Sequence, residues 1–282
     1  MDANLNLWQT IALAAVQGIT EFLPVSSSGH LVLLRKIFGW SDQGGLVFDT
    51  VLHGGSLAAI LIYFWREWIS IIRAYLPGRI YRPTPQSKIA SADGAFYRRL
   101  PWLVAVATIP VVIAGPFLKP LLESDETVRN ASITGLSMIM TALLFLLAER
   151  CKPVTEKPVG FLNALFIGCM QIVALLPGAS RSGWTTSGGI FCGQSRGNAV
   201  RFAFLMAVPA IAGAMIFEAK DIFYSPQPGI NPGLVLAGFV VSFATSFLAI
   251  HFCLKYFRAH SLRPFALYLI LVGLISLLWM RF

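Results

Sequence analysis

Long apolar stretches separated by short polar segments set the pattern of this chain. Six of them, at about 47–65, 101–119, 130–149, 199–218, 232–253 and 265–281, hold 17 to 22 residues with few charges. At 1.5 Å per residue, a helix of that length crosses or nearly crosses a hydrocarbon layer about 30 Å thick. Each stretch therefore predicts a transmembrane helix. Two further apolar stretches, 5–39 and 161–197, differ: each is broken near its middle by a proline, a hydroxyl-rich turn and a glycine. That pattern predicts a helix–turn–helix hairpin. The expected fold class is an all-α polytopic membrane protein, with about six transmembrane helices and two re-entrant hairpins.

The charges between the stretches give the expected topology. Segment 66–100 carries Arg66, Arg73, Arg79, Arg82, Lys88, Arg98 and Arg99. Segments 150–160 and 254–264 add Arg150, Lys152, Lys157, Lys255, Arg258 and Arg263. Segments 40–46, 119–130 and 219–231 are mixed or acidic, with Asp42, Glu123, Asp125, Glu126 and Asp221 beside Lys119, Arg129 and Lys220. Positive residues collect on the cytoplasmic side, so the first set is expected inside and the second outside. The two sets alternate along the six spans, which leaves each hairpin entering and leaving on one face. Hairpin 5–39 would dip in from outside and hairpin 161–197 from inside. One hairpin plus three spans in each half makes an inverted-topology repeat within a single membrane domain, 1–282: residues 1–149, then 161–282 upside down. Broken helices then meet near the midplane. Eight full spans would satisfy the same charge signs, so the case for re-entry rests on the breaks.

Composition narrows the class further. The chain is 56% hydrophobic and 12% charged, where soluble domains carry about 25% charged residues. The formal charge of +9 lies in the connecting segments, so topology accounts for it and nucleic acid is not an expected partner. Met1-Asp2-Ala-Asn-Leu-Asn lacks a basic start, and no cleavable signal peptide is expected. Cys151, Cys169, Cys192 and Cys253 share no pair spacing; four small buried hydrophobes are expected rather than disulfides or zinc.

The chemistry sits at the two breaks. The first reads Gln17-Gly-Ile-Thr-Glu21-Phe-Leu-Pro24-Val-Ser26-Ser27-Ser28-Gly29-His30, the second Gln171 through Pro177-Gly178-Ala-Ser180-Arg181-Ser182-Gly183-Trp-Thr185. An ionised side chain at the centre of an inserted helix costs roughly 2.5–3.5 kcal/mol, so both clusters need a reason. Gln17 and Glu21, four apart, share a helix face, as do Arg181 and Thr185. Ser26, Ser27 and Ser28 fall where a helix begins, as does Ser180; capping hydroxyls and the positive end of the helix dipole favour an anion there. His30 lies one turn past Ser27. Arginine's planar fork suits phosphate oxygens. Together these groups are the inventory of a phosphoryl-transfer site. The bland alternatives are small residues kept for close packing, a packing histidine at His30, and a structural Glu21–Arg181 ion pair. His53 and Asp49 on the first span could line the same cavity.

With those motifs, the chain resembles the undecaprenyl-pyrophosphate phosphatases of the bacitracin-resistance type, over essentially its whole length. The resemblance is most specific at Gln17–His30 and at Leu176-Pro-Gly-Ala-Ser-Arg-Ser-Gly183 followed by Thr185. It implies an enzyme of the bacterial cytoplasmic membrane, its site open to the outer face, that removes one phosphate from a C55 lipid pyrophosphate. The product recycles the lipid carrier for peptidoglycan and other envelope polymers, and the activity raises resistance to bacitracin. It also implies a divalent cation, Mg²⁺ or Ca²⁺, a polyprenyl pyrophosphate partner in the bilayer, and a homodimer. By position, Glu21, Ser27, His30 and Arg181 match the catalytic residues, with Ser26, Ser28, Ser180, Ser182 and Thr185 expected around the substrate phosphates. Many relatives have glutamate where this chain has Gln17, so a cation here is expected on Glu21, with Gln17 or Asp49 as its second protein ligand. Either Ser27 or His30 could be the nucleophile. Inverted repeats also suit a secondary transporter or a lipid flippase, which the site chemistry disfavours.

Overall fold

A computed structural model describes residues 6–40, 45–76, 94–123, 131–151, 159–224 and 231–279, and among them the chain forms eleven helices and no strand. The first hairpin is α1 (Leu7–Phe22) and α2 (Ser27–Phe38). α3 (Gly45–Tyr63), α4 (Trp65–Tyr75), α5 (Gly94–Glu123) and α6 (Ala131–Ala148) follow. The second hairpin is α7 (Phe161–Val173) and α8 (Arg181–Phe191), and α9 (Arg196–Tyr224), α10 (Pro232–Tyr256) and α11 (Arg263–Trp279) complete the chain.

Of the six expected spans, three to four are matched by helices long and apolar enough to cross a membrane. α5, α9 and α10 are long and apolar enough to cross a membrane, and α3 with α4 makes a fourth such stretch bent by 60°. The predicted span 47–65 stops at that bend. α6 and α11, at 18 and 17 residues, reach about 27 and 26 Å, a little short of a full hydrocarbon layer. The charges that set the expected topology at Arg79, Arg82, Lys88, Lys152, Lys157, Asp42, Asp125, Glu126 and Arg129 lie outside the described residues. The cysteines depart from expectation: all four are free, but Cys151 and Cys169 are exposed and Cys253 alone is fully buried. An apolar environment outside the protein removes the pressure to bury a thiol at Cys169 on α7, while Cys151 stands just past the end of α6.

Local chemistry explains where the hairpin helices begin and end. Asn6 and Gln9 form a reciprocal capping box at the start of α1, at 3.0 and 2.9 Å, satisfying two amides that would otherwise lack partners. Pro24 cannot continue α1, and Gly39, with φ of 62°, closes α2 in the left-handed region. α10 opens on Asn231 with Pro232 in its first turn.

The two halves exchange partners. α1 packs on α10 of the second half, α7 packs on α5 of the first, and α6 pairs with α11. Small residues set these contacts, since helices in lipid gain most from close backbone approach. A Cβ on Gly18 would meet the Ser242 carbonyl at 2.5 Å, and one on Gly168 the Ala107 carbonyl at 2.2 Å. The hairpin tips meet as well: a Cβ on Gly29 would lie 3.1 Å from the Gly178 Cα. Gly178 itself has φ of +87° and leaves 2.3 Å between its missing Cβ and the Thr134 carbonyl. Gly178→Ala therefore adds both backbone strain and a clash. The expected loss is about 2–4 kcal/mol of stability, read as a lower melting temperature in detergent; an unchanged value would contradict the close packing of Gly178 on Thr134 of α6.

Candidate active site

Glu21 is the hub of the hairpin junction. It sits in the last turn of α1 with only 6% of its side chain exposed. Its Oε1 accepts from Arg181 Nη2 at 2.7 Å. Its Oε2 accepts from the Ser27 hydroxyl at 2.7 Å and from Gln17 Nε2 at 2.8 Å. A buried carboxylate needs such compensation, and three donors from both hairpins supply it. The expected Gln17/Glu21 face and the Glu21–Arg181 pair are thus both present, the latter spanning 160 residues of sequence.

Gln17 reaches a second partner, His53 Nδ1, at 3.0 Å. Its amide nitrogen must face Glu21, because its oxygen would meet a carboxylate, so His53 Nδ1 accepts and its Nε2 carries the hydrogen. His53 Nδ1 is also 3.6 Å from Glu21 Oε2. The structure therefore places His53 beside the hub.

The break between α1 and α2 holds the site in an unusual backbone. Ser26 has φ of 72°, the sole positive value at a non-glycine among the described residues; such conformations cost of order 1–3 kcal/mol and gather at functional sites. Its side chain caps α2 through Gly29 N–H at 3.4 Å, and its carbonyl accepts from His30 Nδ1 at 2.7 Å. His30 Nε2 is left as an acceptor for the Tyr268 hydroxyl of α11, also at 2.7 Å, and the two rings stack 5.6 Å apart. Both His30 nitrogens are thus occupied. The Ser27 hydroxyl is bonded to Glu21 and not to His30. Ser28 is exposed and lies 3.4 Å from the Ser26 hydroxyl.

The second hairpin presents its arginine and buries its hydroxyls. Ser180 caps α8 through Gly183 N–H at 3.2 Å and is 1% exposed. Ser182 donates to the Leu23 carbonyl at 3.1 Å, stitching α8 to the end of α1. Thr185 donates to the Arg181 carbonyl at 2.8 Å. Ser182 and Thr185, expected at the substrate phosphates, are buried with their hydrogens given to backbone: the Ser182 bond joins α8 to α1 and the Thr185 bond lies within α8. Arg181 uses one nitrogen on Glu21, and its remaining donors are unengaged among the described residues.

The expected metal ligands fare unevenly. Asp49 is held by Arg35 through two bonds of 2.6 and 2.9 Å, so it does not join Glu21; a bidentate arginine outcompetes a distant cation for a partly buried carboxylate. Among the described residues, no group of three or more His, Cys, Asp or Glu side chains could hold a metal. The Gln17 Oε1 is a buried oxygen without a hydrogen-bond partner among the described residues. Beside Glu21 it is the oxygen donor these residues offer, which is too little for a resident all-protein cation cage.

An all-helical membrane protein with a buried carboxylate, an arginine, a serine and two histidines gathered at two hairpin tips has the makings of a membrane-embedded hydrolytic site rather than a packing seam. The chain belongs to the family of the bacitracin resistance protein BacA, whose model matches residues 10–275. It is 38% identical to the undecaprenyl-diphosphatase of Thermomicrobium roseum over 285 residues, covering 99% of each chain.

Proposed function

We propose that this protein hydrolyses undecaprenyl pyrophosphate to undecaprenyl phosphate and inorganic phosphate at the junction of its two hairpins, recycling the lipid carrier and conferring bacitracin resistance. The single observation that carries the chemical reading is Glu21, which binds the Ser27 hydroxyl and Arg181 on its two oxygens. Family membership sets the substrate class. The prenyl chain lies in the bilayer while the pyrophosphate meets Arg181 and the start of α2. Ser27 Oγ attacks the terminal phosphorus as Glu21 accepts its proton. The Oγ–P bond forms, the bridging P–O bond breaks, and undecaprenyl phosphate leaves with the bond electrons. Water then cleaves the phosphoserine, returning Ser27 and releasing phosphate. Arg181 and the α2 N-terminus stabilise the charge that develops in both steps. A divalent cation, Mg²⁺ or Ca²⁺, would arrive on the pyrophosphate, with Glu21 and the Gln17 oxygen as nearby donors. The family resemblance supports a site open to the outer face of the bacterial cytoplasmic membrane, and the exchanged packing of α1 on α10 and α7 on α5 supports the inverted repeat.

The test is phosphate release from a C15 or C55 prenyl pyrophosphate by purified protein in detergent, with and without chelator. A labelled phosphoenzyme that survives acid supports Ser27, since phosphohistidine is acid-labile. Absence of release with cation present would shift the assignment to lipid transport. His30→Ala removes the side chain that joins the Ser26 carbonyl to Tyr268 and should lower turnover by less than Glu21→Gln does. Tyr268→Phe keeps the stack and loses one hydrogen bond, so its expected cost is about tenfold at most. A loss in His30→Ala as large as that in Glu21→Gln would give the proton transfer to His30.

A further inference from the structure

The arginine-rich side carries a second built site, remote in sequence from the hairpin tips. α4 turns 60° away from α3. Trp65, Ile72 and Tyr75 on it are each more than half exposed, while Arg66 and Arg73, seven apart, share another face. The Arg66 guanidinium lies 5.2 Å over the Trp65 ring. This is the pattern of a helix lying in a membrane interface. The Tyr75 hydroxyl donates to the Arg98 carbonyl at 2.7 Å and ties the end of α4 to the first turns of α5. Arg98 and Arg99 are exposed there, without an ion-pair partner among the described residues.

Next to these arginines, α4, α5 and α9 leave an apolar cavity of about 600 Å³, lined by Trp68, Ile71, Leu100, Val104, Leu205 and Pro209 among others. Arg98 precedes the lining residues Pro101, Ala105 and Ile109 by three, seven and eleven positions, so it shares their helix face one turn nearer the basic side. The two lining groups that could hydrogen-bond are already used. The Thr108 hydroxyl donates to the Val104 carbonyl at 2.7 Å, and the Trp68 indole N–H to the Leu61 carbonyl at 3.2 Å. The cavity therefore accepts a hydrocarbon chain and offers nothing to a head group. Arg98, exposed one turn beyond the lining and without an ion-pair partner among the described residues, offers the reverse.

We infer that this cavity and Arg98 form a binding site for one anionic phospholipid of the leaflet on the arginine-rich side. An acyl chain fills the cavity and the phosphate rests on the Arg98 guanidinium. A zwitterionic lipid would bring its own cation to the same arginine and lose most of that attraction. The site needs neither Glu21 nor Arg181.

Native mass spectrometry of the delipidated full-length protein tests it, with phosphatidylglycerol and phosphatidylcholine of identical acyl chains. One phosphatidylglycerol should remain bound per chain under conditions that strip phosphatidylcholine. Arg98→Gln should weaken phosphatidylglycerol about 5-fold without changing the melting temperature. Ala105→Trp, which fills the cavity and touches no charge, should weaken both lipids. Equal retention of the two lipids, or full retention by Arg98→Gln, overturns the site. Retention of a polyprenyl phosphate in preference to phosphatidylglycerol overturns the choice of occupant.

Discussion

Glu21→Gln is expected to reduce phosphate release from a prenyl pyrophosphate by about 10³-fold or more while the protein still inserts and folds. The replacement is nearly isosteric, so an amide oxygen still accepts from Arg181 or Ser27. What it removes is the one group bonded to the Ser27 hydroxyl that can take its proton. Losing a positioned base costs typically 10²–10⁴-fold, and losing the charge that orients Arg181 adds to it. The fall should appear in kcat with little change in KM, because neither group is needed for the prenyl chain to bind. Turnover like that of the wild type would remove Glu21 from the chemistry and leave it as a structural counter-ion.

Arg181→Ala is expected to be as severe in rate and worse in stability. Removing a cation that stabilises transferring phosphate costs about 10³–10⁵-fold in related chemistry. It also leaves Glu21 as a buried charge without its partner, worth about 3–5 kcal/mol. The two effects separate in the double variant. Arg181→Ala in the Glu21→Gln background should regain melting temperature, since no charge is stranded, and should regain no activity. Recovery of turnover along with stability would show that the pair serves only the fold.

Much of this was legible locally. The break at Pro24 and Ser26 and that at Gly178 and Ser180 appear in the structure where the proline, glycine and capping serines put them. That is because in a membrane each helix must satisfy its own backbone, so the ends are written into adjacent residues. The Gln17/Glu21 spacing likewise delivers two side chains to one face. Tyr268 had no such signal. It is one aromatic in an apolar helix, 238 residues from His30, and nothing near it distinguishes a hydrogen-bonding tyrosine from an interfacial one. Asp49 and His53, one turn apart on α3 and alike in the sequence, were separated by packing: Arg35 took the first and Gln17 reached the second.

By itself the sequence determined the membrane class, the helices, the two broken hairpins and the stock of reactive groups at their tips. Each of these depends on hydropathy, periodicity and capping within a few turns. Only the tertiary structure decided who meets whom: Arg181 on Glu21, Glu21 on Ser27, Tyr268 on His30, and Ser182 and Thr185 turned inward to bind backbone. Those pairings follow from the exchange of α1 and α7 between the halves and from glycine contacts that let the tips touch. Such contacts join residues far apart in the chain, and no local pattern records them.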